Sequence, residues 1–468
     1  MKKTIKTITG IIAGILLFLA GCRFLNMLLV QDDMWEKILF HSYYNRDRSI
    51  DNVFVGSSHV LCDVEPFMLD EINGEYNFNL SCPQQRMDTS YYLLREAAGQ
   101  NRLKGVFIEC YYLCMTDHEI WDRASGDYKV SDYIGDPDHF AAAWLISDEM
   151  RPSLNSLAIR MHASDKDHML ENIFPFVRYR EKLFDWEYMS NRLSVSLSKE
   201  EPEYFLHLDY EEPDGTPWVQ EYREKGDLYS TGCNLDCEKI FPTDRNLTKY
   251  GMGKQSKAYL KKSIEYCLNK NIPVTLFVSP VMDFQLLSTG DYDNYVRELR
   301  AVADEYGVPC YDFNLIKRDR LDIKHGEYYM DPEHLNTTGS GLYTKVLWDV
   351  VSRTPEENEA SFYDSYADYL ADGEPEIFGL YYRLTDPSDK RNEDGSPVYE
   401  SREFTVASNR SDMRYRIVER LKDDEGNDVD EVIEEDCSGT FVLPSGRHGT
   451  VMITTVYEGR ELSLSVDF

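Results

Sequence analysis

The stretch DNVFVGSSH, residues 51–59, decides how this chain folds. An apolar run rich in β-branched residues ends there in small residues. This pattern is typical of a buried strand that leads into a tight loop. The stretch therefore predicts a strand of a covered sheet, followed by a sharp turn that begins at Gly56.

An alternation of strands and helices extends from this stretch along the chain. After this stretch, the alternation predicts a helix over 87–98 and a strand over 104–113. After a long interruption the pattern predicts a helix over 254–269, a strand over 272–280, a helix over 292–306 that stops at Gly307, a strand over 308–314 and a helix over 338–352. The alternation predicts an α/β domain over residues 31–353, with a parallel sheet covered by helices.

Three other regions of the chain do not show this alternation of strands and helices. Residues 115–250 interrupt the alternation and form a large predicted insertion, which either shapes a site or only elaborates the surface. Residues 354–374 are an acidic linker. Residues 375–468 contain short strands with turns between them, which predicts a C-terminal all-β domain, a sandwich of immunoglobulin-like type. We expect this domain to serve packing or partner binding.

Residues 1–30 are a predicted membrane anchor or lipoprotein signal. Lys2, Lys3 and Lys6 precede a long apolar run, and basic flanks stay on the cytoplasmic side, so the bulk of the chain is expected on the extracytoplasmic side of the cell membrane. The run is long enough to span a bilayer as an uncleaved helix. The sequence LAGC that ends at Cys22 also fits lipidation of that cysteine, and a cleaved secretory signal is a third interpretation.

Composition excludes some functions. The formal net charge of −33 repels phosphate backbones, so no nucleic-acid partner is expected. Several of the ten cysteines lie in apolar runs and are predicted to be buried thiols. Cys233 and Cys237 form a single pair without a second pair at zinc spacing, so no metal site is expected, and a disulfide between them stays an alternative. No cofactor is expected.

The loop after the first strand carries the first chemical signal. Gly56-Ser57-Ser58-His59 lies where open α/β sheets place their sites, at the carboxyl edge of the strands. A small residue permits the turn, and backbone N–H groups at the start of the next helix can hold an oxyanion. Read alone, such a sequence is more often a polar loop.

The second signal precedes the last helix of the α/β domain. Asp331-Pro-Glu-His334-Leu-Asn336 places a carboxylate three residues before an imidazole. The carboxylate can then fix the tautomer of His334 through Nδ1 and leave Nε2 free to take a proton from a serine hydroxyl. The pair Asp136 and His139 has the same spacing, but no regular strand–helix unit leads into it.

Together, the two blocks in this order resemble the SGNH (GDSL-like) hydrolase family, over roughly residues 51–352, and most closely its membrane-anchored bacterial members. The resemblance implies a flavodoxin-like doubly wound fold. It also implies that Ser58 is the nucleophile, His334 the base and Asp331 its orienting carboxylate. Some relatives O-acetylate exopolysaccharides or help to modify cell-wall polymers.

The sequence departs from the family pattern at the oxyanion hole. Ser57 stands where the family has an aspartate, the second block (76–84) lacks its glycine, and the third block around Glu109 lacks its Gly-x-Asn. Candidate oxyanion or substrate-binding residues are Gly56, Ser57, His59, Asn79, Ser81 and Gln84. His59 either binds substrate or packs under the turn, Gln84 and Gln85 either contact substrate or cap a helix, and Glu109 either orients a neighbour or points to solvent.

The resemblance implies a serine esterase or O-acyltransferase that acts on acyl esters, O-acetyl groups above all, of a cell-envelope or extracellular glycan. The alternative is a catalytically inactive scaffold or glycan- or partner-binding surface protein, which the incomplete oxyanion hole favours. Hydrolase and transferase are not separated by the sequence, nor is the oligomeric state determined by it.

Overall fold

The computed structural model describes most of the chain. Outside the described residues are 1, 31–33, 118, 123–124, 131–136, 164–167, 198–205, 212–214, 234–238, 244–245, 394 and 423–425. Cys237 and Asp136 are among these, so the possible Cys233–Cys237 disulfide and the Asp136–His139 pair lie outside what the structure describes.

The described residues form the following helices and eighteen strands. In chain order the helices are α1 (Lys2–Leu29), α2 (Met34–Asn45), α3 (Ser58–Asp63), α4 (Pro66–Asn73), α5 (Met87–Gln100), α6 (Tyr112–Met115), α7 (Pro137–Glu149), α8 (Leu154–Ala163), α9 (Met169–Ile173), α10 (Trp186–Leu197), α11 (Asn246–Lys249), α12 (Lys254–Asn269), α13 (Asp283–Ser288), α14 (Tyr292–Tyr306), α15 (Thr337–Val351), α16 (Pro355–Asn358) and α17 (Tyr366–Asp372). The strands are β1 (Asn52–Gly56), β2 (Asn77–Ser81), β3 (Gly105–Glu109), β4 (Glu119–Asp122), β5 (Asp127–Val130), β6 (Leu206–Glu211), β7 (Pro217–Arg223), β8 (Asp227–Ser230), β9 (Ile240–Pro242), β10 (Val274–Val278), β11 (Cys310–Asp312), β12 (Ile377–Arg391), β13 (Pro397–Ser408), β14 (Tyr415–Lys422), β15 (Asp428–Cys437), β16 (Thr440–Pro444), β17 (Thr450–Tyr457) and β18 (Arg460–Asp467).

A five-stranded parallel sheet forms the centre of the α/β domain, in the order β2-β1-β3-β10-β11. Numbered along the chain within this sheet, the order is 2-1-3-4-5, the order of doubly wound sheets of flavodoxin type. In such sheets a crevice opens where the strand order reverses. Here the reversal lies between β1 and β3.

Most strand residues of this sheet are buried because both faces of the sheet are covered. Along β1, Val53 and Val55 point into one hydrophobic core, which also contains side chains of α5, α12 and α14. Phe54 points to the opposite core, shared with α3, α4 and α15. Alternate residues of one strand thus serve two cores, as parallel sheets require.

Predicted and observed boundaries agree closely for most of these elements. The predicted helices 254–269 and 292–306 match α12 and α14, and Gly307 ends α14 with a φ of 64°. The strand predicted over 104–113 is wrong in its second half. It ends at Glu109, and the apolar residues that follow pack as the short helix α6, with Tyr112 fully buried. Burial explains their apolarity, because a buried turn needs apolar side chains as much as a strand does.

The insertion contains the hairpin β4–β5, the helices α7–α10 and the antiparallel sheet β6-β7-β8. The acidic segment 354–374 is folded and contains α16 and α17. Tyr366 and Tyr369 of α17 are buried, and the Tyr369 hydroxyl donates a hydrogen bond to Asp283 at 3.0 Å. Its aromatic residues therefore dock it on the α/β domain.

The C-terminal region consists of two four-stranded sheets, β16-β13-β12-β9 and β15-β14-β17-β18. Their inner side chains, among them Phe404 and Phe441 from one sheet and Ile417 and Ile453 from the other, share one hydrophobic core. Strand β9 comes from the insertion and pairs parallel with β12, while the other pairings are antiparallel. The insertion thus also ties the two regions together.

Helix α1 is apolar over Lys6–Leu29, with a mean hydropathy of 2.1 in its most apolar window, and it is long enough to cross a membrane. Cys22 lies inside this helix. The helix supports a membrane anchor or a signal sequence.

Candidate active site

The site lies at the carboxyl end of β1, next to the point where the strand order reverses. Ser57 caps α3, because its hydroxyl accepts a hydrogen bond from the backbone N–H of His59 at 3.4 Å. Ser58 is the first residue of α3 and is half-buried, while its neighbours Ser57 and His59 are buried. The predicted strand–turn–helix thus presents one serine at the surface of the sheet edge.

Three side chains from the two predicted blocks form a hydrogen-bonded chain. The Oγ of Ser58 lies 2.7 Å from Nε2 of His334, although the residues are 276 positions apart. The Nδ1 of His334 lies 2.9 Å and 3.1 Å from the two carboxylate oxygens of Asp331. The distances are those of a serine nucleophile, its general base and the carboxylate that orients the base.

The electrostatics of the pair match this geometry. Burial disfavours the charged form of each group, but the mutual hydrogen bond and charge attraction of the pair outweigh it. They raise the pKa of His334 to about 9, with help from the nearby charges of Asp63 and Glu333. They lower the pKa of Asp331 to about 2, together with backbone hydrogen bonds from Glu333 and His334. Asp331 is thus an anion over the whole physiological range.

The loop that carries His334 is built from its own polar side chains. The Oδ1 of Asp331 accepts the backbone N–H groups of Glu333 and His334, both at 2.8 Å. Asn336 caps α15 by accepting the N–H groups of Thr338 and Gly339, at 3.0 and 3.1 Å. The side chains of Asp331 and Asn336 thus stabilise the loop that holds the imidazole of His334.

Asp63 is a residue of the site that the sequence interpretation missed. Its Oδ1 accepts the backbone N–H of Leu335 at 3.0 Å, and its Oδ2 lies 3.3 Å from Nδ1 of His59. Asp63 thus ties α3, which carries Ser58, to the loop that carries His334. The four-residue spacing between His59 and Asp63, which places both on one face of α3, is the signal that was present in the sequence.

His59 takes the packing role of its two predicted alternatives. The side chain is fully buried, and its ring stacks against that of His334 with 4.7 Å between centroids. On another side it contacts the ring of Tyr111 at 3.7 Å. His59 therefore supports the base from below and does not face the cavity.

Gly56, Ser57 and Glu109 form the floor of the turn. A Cβ at Gly56 would lie 2.5 Å from the Cβ of Glu109 and 2.7 Å from a methyl of Val60, so only glycine fits there. Ser57 donates to Oε2 of Glu109 through its hydroxyl at 3.2 Å and its backbone N–H at 3.3 Å. Burial raises the pKa of Glu109 to about 8. Glu109 thus orients a neighbour, as one of its two interpretations held.

Two of the candidate oxyanion donors, Asn79 and Ser81, do not line the cavity. Both amide hydrogens of Asn79 are used on carbonyl oxygens of α3 and its end, those of Val60 at 3.0 Å and Val64 at 2.7 Å. Asn79 therefore holds the helix and is not brought to the reacting atoms, which corrects its assignment as an oxyanion donor. Ser81 is fully buried at the end of β2 and does not line the cavity, so it is not brought there either.

Gln84 lies at the rim of the cavity with a φ of 58°. This left-handed conformation is costly for residues other than glycine, and such strain is concentrated at functional sites. The neighbouring Gln85 is buried and donates to the hydroxyl of Ser90 at 2.9 Å, which is a structural role. The backbone N–H of Ser58, the first residue of α3, has no acceptor within its own helix and is therefore a candidate oxyanion donor.

A cavity of about 860 Å³ opens above Ser58 and His334. Its size is that of small-molecule sites. Ala141, Ala142 and Leu145 of α7 and Leu228 of β8 contribute to its wall, so the insertion shapes the site. The remaining wall includes Trp35 and Arg86. The cavity is therefore lined by apolar and polar residues around Ser58.

Among the described residues, His59, Glu333 and His334 bring three ligand atoms of the kinds that bind metal ions within 4.8 Å of one another. Both ring nitrogens of His334 are engaged, however, by Ser58 and Asp331. His139, the histidine of the second Asp-x-x-His sequence, is buried with its Nε2 3.1 Å from Asp88 of α5. His139 does not line the cavity above Ser58.

The sheet order and the Ser–His–Asp chain define this protein as an α/β protein with a site of serine-hydrolase geometry. A comparison with protein-family models and a comparison with curated proteins each find no match.

Proposed function

We propose that this protein is a membrane-tethered serine esterase or O-acyltransferase of SGNH type, with its catalytic domain on the extracytoplasmic side. The observation that carries the proposal is the 2.7 Å contact between Ser58 Oγ and His334 Nε2, with Asp331 on the other ring nitrogen. A hydroxyl, a base and an orienting anion in this order are the working parts of nucleophilic acyl transfer.

The reaction follows from these positions. His334 Nε2 takes the proton of Ser58 while Oγ attacks the ester carbonyl, and the C–O bond to the alcohol breaks as Nε2 returns the proton to the leaving oxygen. This leaves an acyl group on Ser58. His334 then takes a proton from water or from a sugar hydroxyl, whose oxygen attacks the acyl carbonyl. The bond between the acyl group and Ser58 Oγ breaks, and Nε2 returns the proton to Oγ. Asp331 stabilises the imidazolium in both halves.

The SGNH assignment rests on arrangement. The nucleophile follows the first strand of a 2-1-3-4-5 sheet, and the Asp-x-x-His block immediately precedes the last helix of that domain. The basic residues before α1 favour an outward-facing domain. Polymers with acyl esters that face such a domain are the glycans of the envelope, and O-acetyl is the acyl unit we propose.

The test is labelling of the full-length protein in detergent with a serine-directed fluorophosphonate, together with hydrolysis of a chromogenic acetyl ester. We expect wild type and Ser352→Ala, which removes an exposed serine at the end of α15, to be labelled. We expect Ser58→Ala to lose labelling and to lose at least about 10³-fold in rate. Equal labelling of Ser58→Ala, or none of wild type, contradicts the proposal.

A second candidate function is a catalytically inactive, glycan-binding protein of the same fold. The engagement of both amide hydrogens of Asn79 favours it, because the hole then lacks that side-chain donor, and loss of one donor costs about 10²–10³-fold in rate. The ester assay separates the two, since a binding protein retains glycan affinity without turnover.

A further inference from the structure

Apolar side chains are exposed together in one part of the insertion, residues 169–193. This segment comprises α9, two 3-10 turns over Pro175–Val177 and Arg180–Phe184, and the start of α10. Phe184 is 93% exposed and Trp186 78% exposed, and Met169, Leu170 and Ile173 are also exposed. Grouped exposure of large apolar side chains marks a surface that binds something.

The same segment packs along α1. The ring of Phe174 meets that of Phe18 at 5.8 Å between centroids. The backbone N–H of Phe176 donates to the side chain of Asn26 at 3.1 Å, and the hydroxyl of Tyr188 donates to the carbonyl of Leu29 at 3.1 Å. The segment therefore follows α1 from Phe18 to its end.

The contacts with α1 indicate how deeply the segment lies in a bilayer that α1 crosses. Phe18 lies near the middle of the apolar span Lys6–Leu29. From Phe18 to Leu29 a helix rises about 16 Å, roughly half the thickness of the hydrocarbon core. A segment that accompanies this half of α1 lies within one leaflet wherever α1 crosses the bilayer.

We propose that residues 169–193 form a second membrane contact, a surface that lies in the leaflet on the side of the catalytic domain and is occupied by lipid. The backbone hydrogen bonds of this segment support the proposal. The N–H groups of Phe174, Val177, Tyr179, Lys182 and Asp185 all donate to carbonyls three or four residues earlier. Such internal pairing is what a segment in contact with lipid requires.

The net charge and the residue types of the segment also fit contact with lipid. In a chain of net charge −33, the segment carries four acidic and four basic residues, so it is neutral and does not add to repulsion from a membrane surface. Trp186 and Tyr188 are residues that favour the level of the head groups. The Lys182 ammonium lies 5.2 Å from the ring centre of Tyr188, and its long side chain can reach the head groups from there.

The test uses the full chain reconstituted in phosphatidylcholine vesicles, with the acyl chains either brominated or plain. Bromine quenches tryptophan fluorescence only on contact. We expect wild type and Trp348→Phe, whose tryptophan packs against Phe107 in the α/β domain, to lose fluorescence in brominated vesicles. We expect Trp186→Phe to lose distinctly less. Because Trp186 is exposed, its replacement by phenylalanine leaves the fold intact.

Flotation of the vesicles separates the outcomes. If the protein floats with the vesicles but Trp186→Phe is quenched as strongly as wild type, the exposed patch belongs to a protein partner or a second copy, and the proposal is wrong. If the protein does not float, α1 does not enter the bilayer, and the proposal falls with it. Neither readout depends on catalysis, so the proposed activity is tested separately.

Discussion

Replacement of Glu109 by glutamine tests the floor of the site. The carboxyl group of Glu109 is buried at the end of β3, where Oε2 accepts two hydrogen bonds from Ser57. Its other oxygen, Oε1, has no hydrogen-bond partner among the described residues. Glutamine has the same shape and its carbonyl oxygen can accept the Ser57 bonds, but it cannot ionise.

The expected magnitude follows from the pKa. Burial raises the pKa of Glu109 from 4.5 to about 8, and each unit is worth about 1.4 kcal/mol, so ionisation costs the fold about 5 kcal/mol above pH 8 and nothing below pH 4.5. The free energy of unfolding therefore falls as pH rises through this window. Glutamine removes that cost but buries an amide without partners, at about 1–3 kcal/mol. We expect Glu109→Gln to be less stable than wild type at pH 4.5 and more stable by about 2–4 kcal/mol above pH 8.

The measurement is urea unfolding of the full-length protein in detergent, from pH 4.5 to pH 9, with Glu461→Gln as the control at an exposed carboxylate. The control is expected to follow wild type at every pH. A constant difference in the free energy of unfolding between Glu109→Gln and wild type across this range would refute the account of a buried, largely protonated carboxyl group.

Three further outcomes are expected. Because His334 must be neutral to act as a base and its pKa is raised to about 9, kcat/KM for an acetyl ester should rise with pH to a half-maximal value near pH 9; a rate independent of pH between 6 and 9 contradicts this. Asp331→Asn should lower kcat by about 10³–10⁴-fold and move that midpoint to lower pH, whereas Glu333→Gln should leave kcat within about 10-fold in the same assay. Gly56→Ala should destabilise the fold by about 1–3 kcal/mol in urea unfolding, since its Cβ meets Glu109 at 2.5 Å, while Gly99→Ala in α5, with no atom within 4 Å, should be neutral or stabilising.

The local sequence determined the elements of the α/β domain. The apolar run of β1 predicts its strand, and the 3.6-residue periodicity of α12 and α14 predicts their bounds, because each signal arises within one element. The same holds for Asp331 and His334, whose contact spans three positions of one loop. The apolar residues of α6 form a buried turn, but an apolar run is also typical of a buried strand. The strand predicted over 104–113 was therefore too long.

Tertiary structure decided which of these residues meet. The Asp-x-x-His spacing is the same at His334 and His139, and only the tertiary structure brings His334 to Ser58 across 276 positions and places His139 against Asp88. The tertiary structure also decides that the side-chain amide of Asn79 donates to backbone carbonyls of Val60 and Val64. It buries the carboxyl group of Glu109, and it places residues of α7 in the cavity wall. Such outcomes depend on distances between elements remote in the chain, which the periodicity of a single element does not encode.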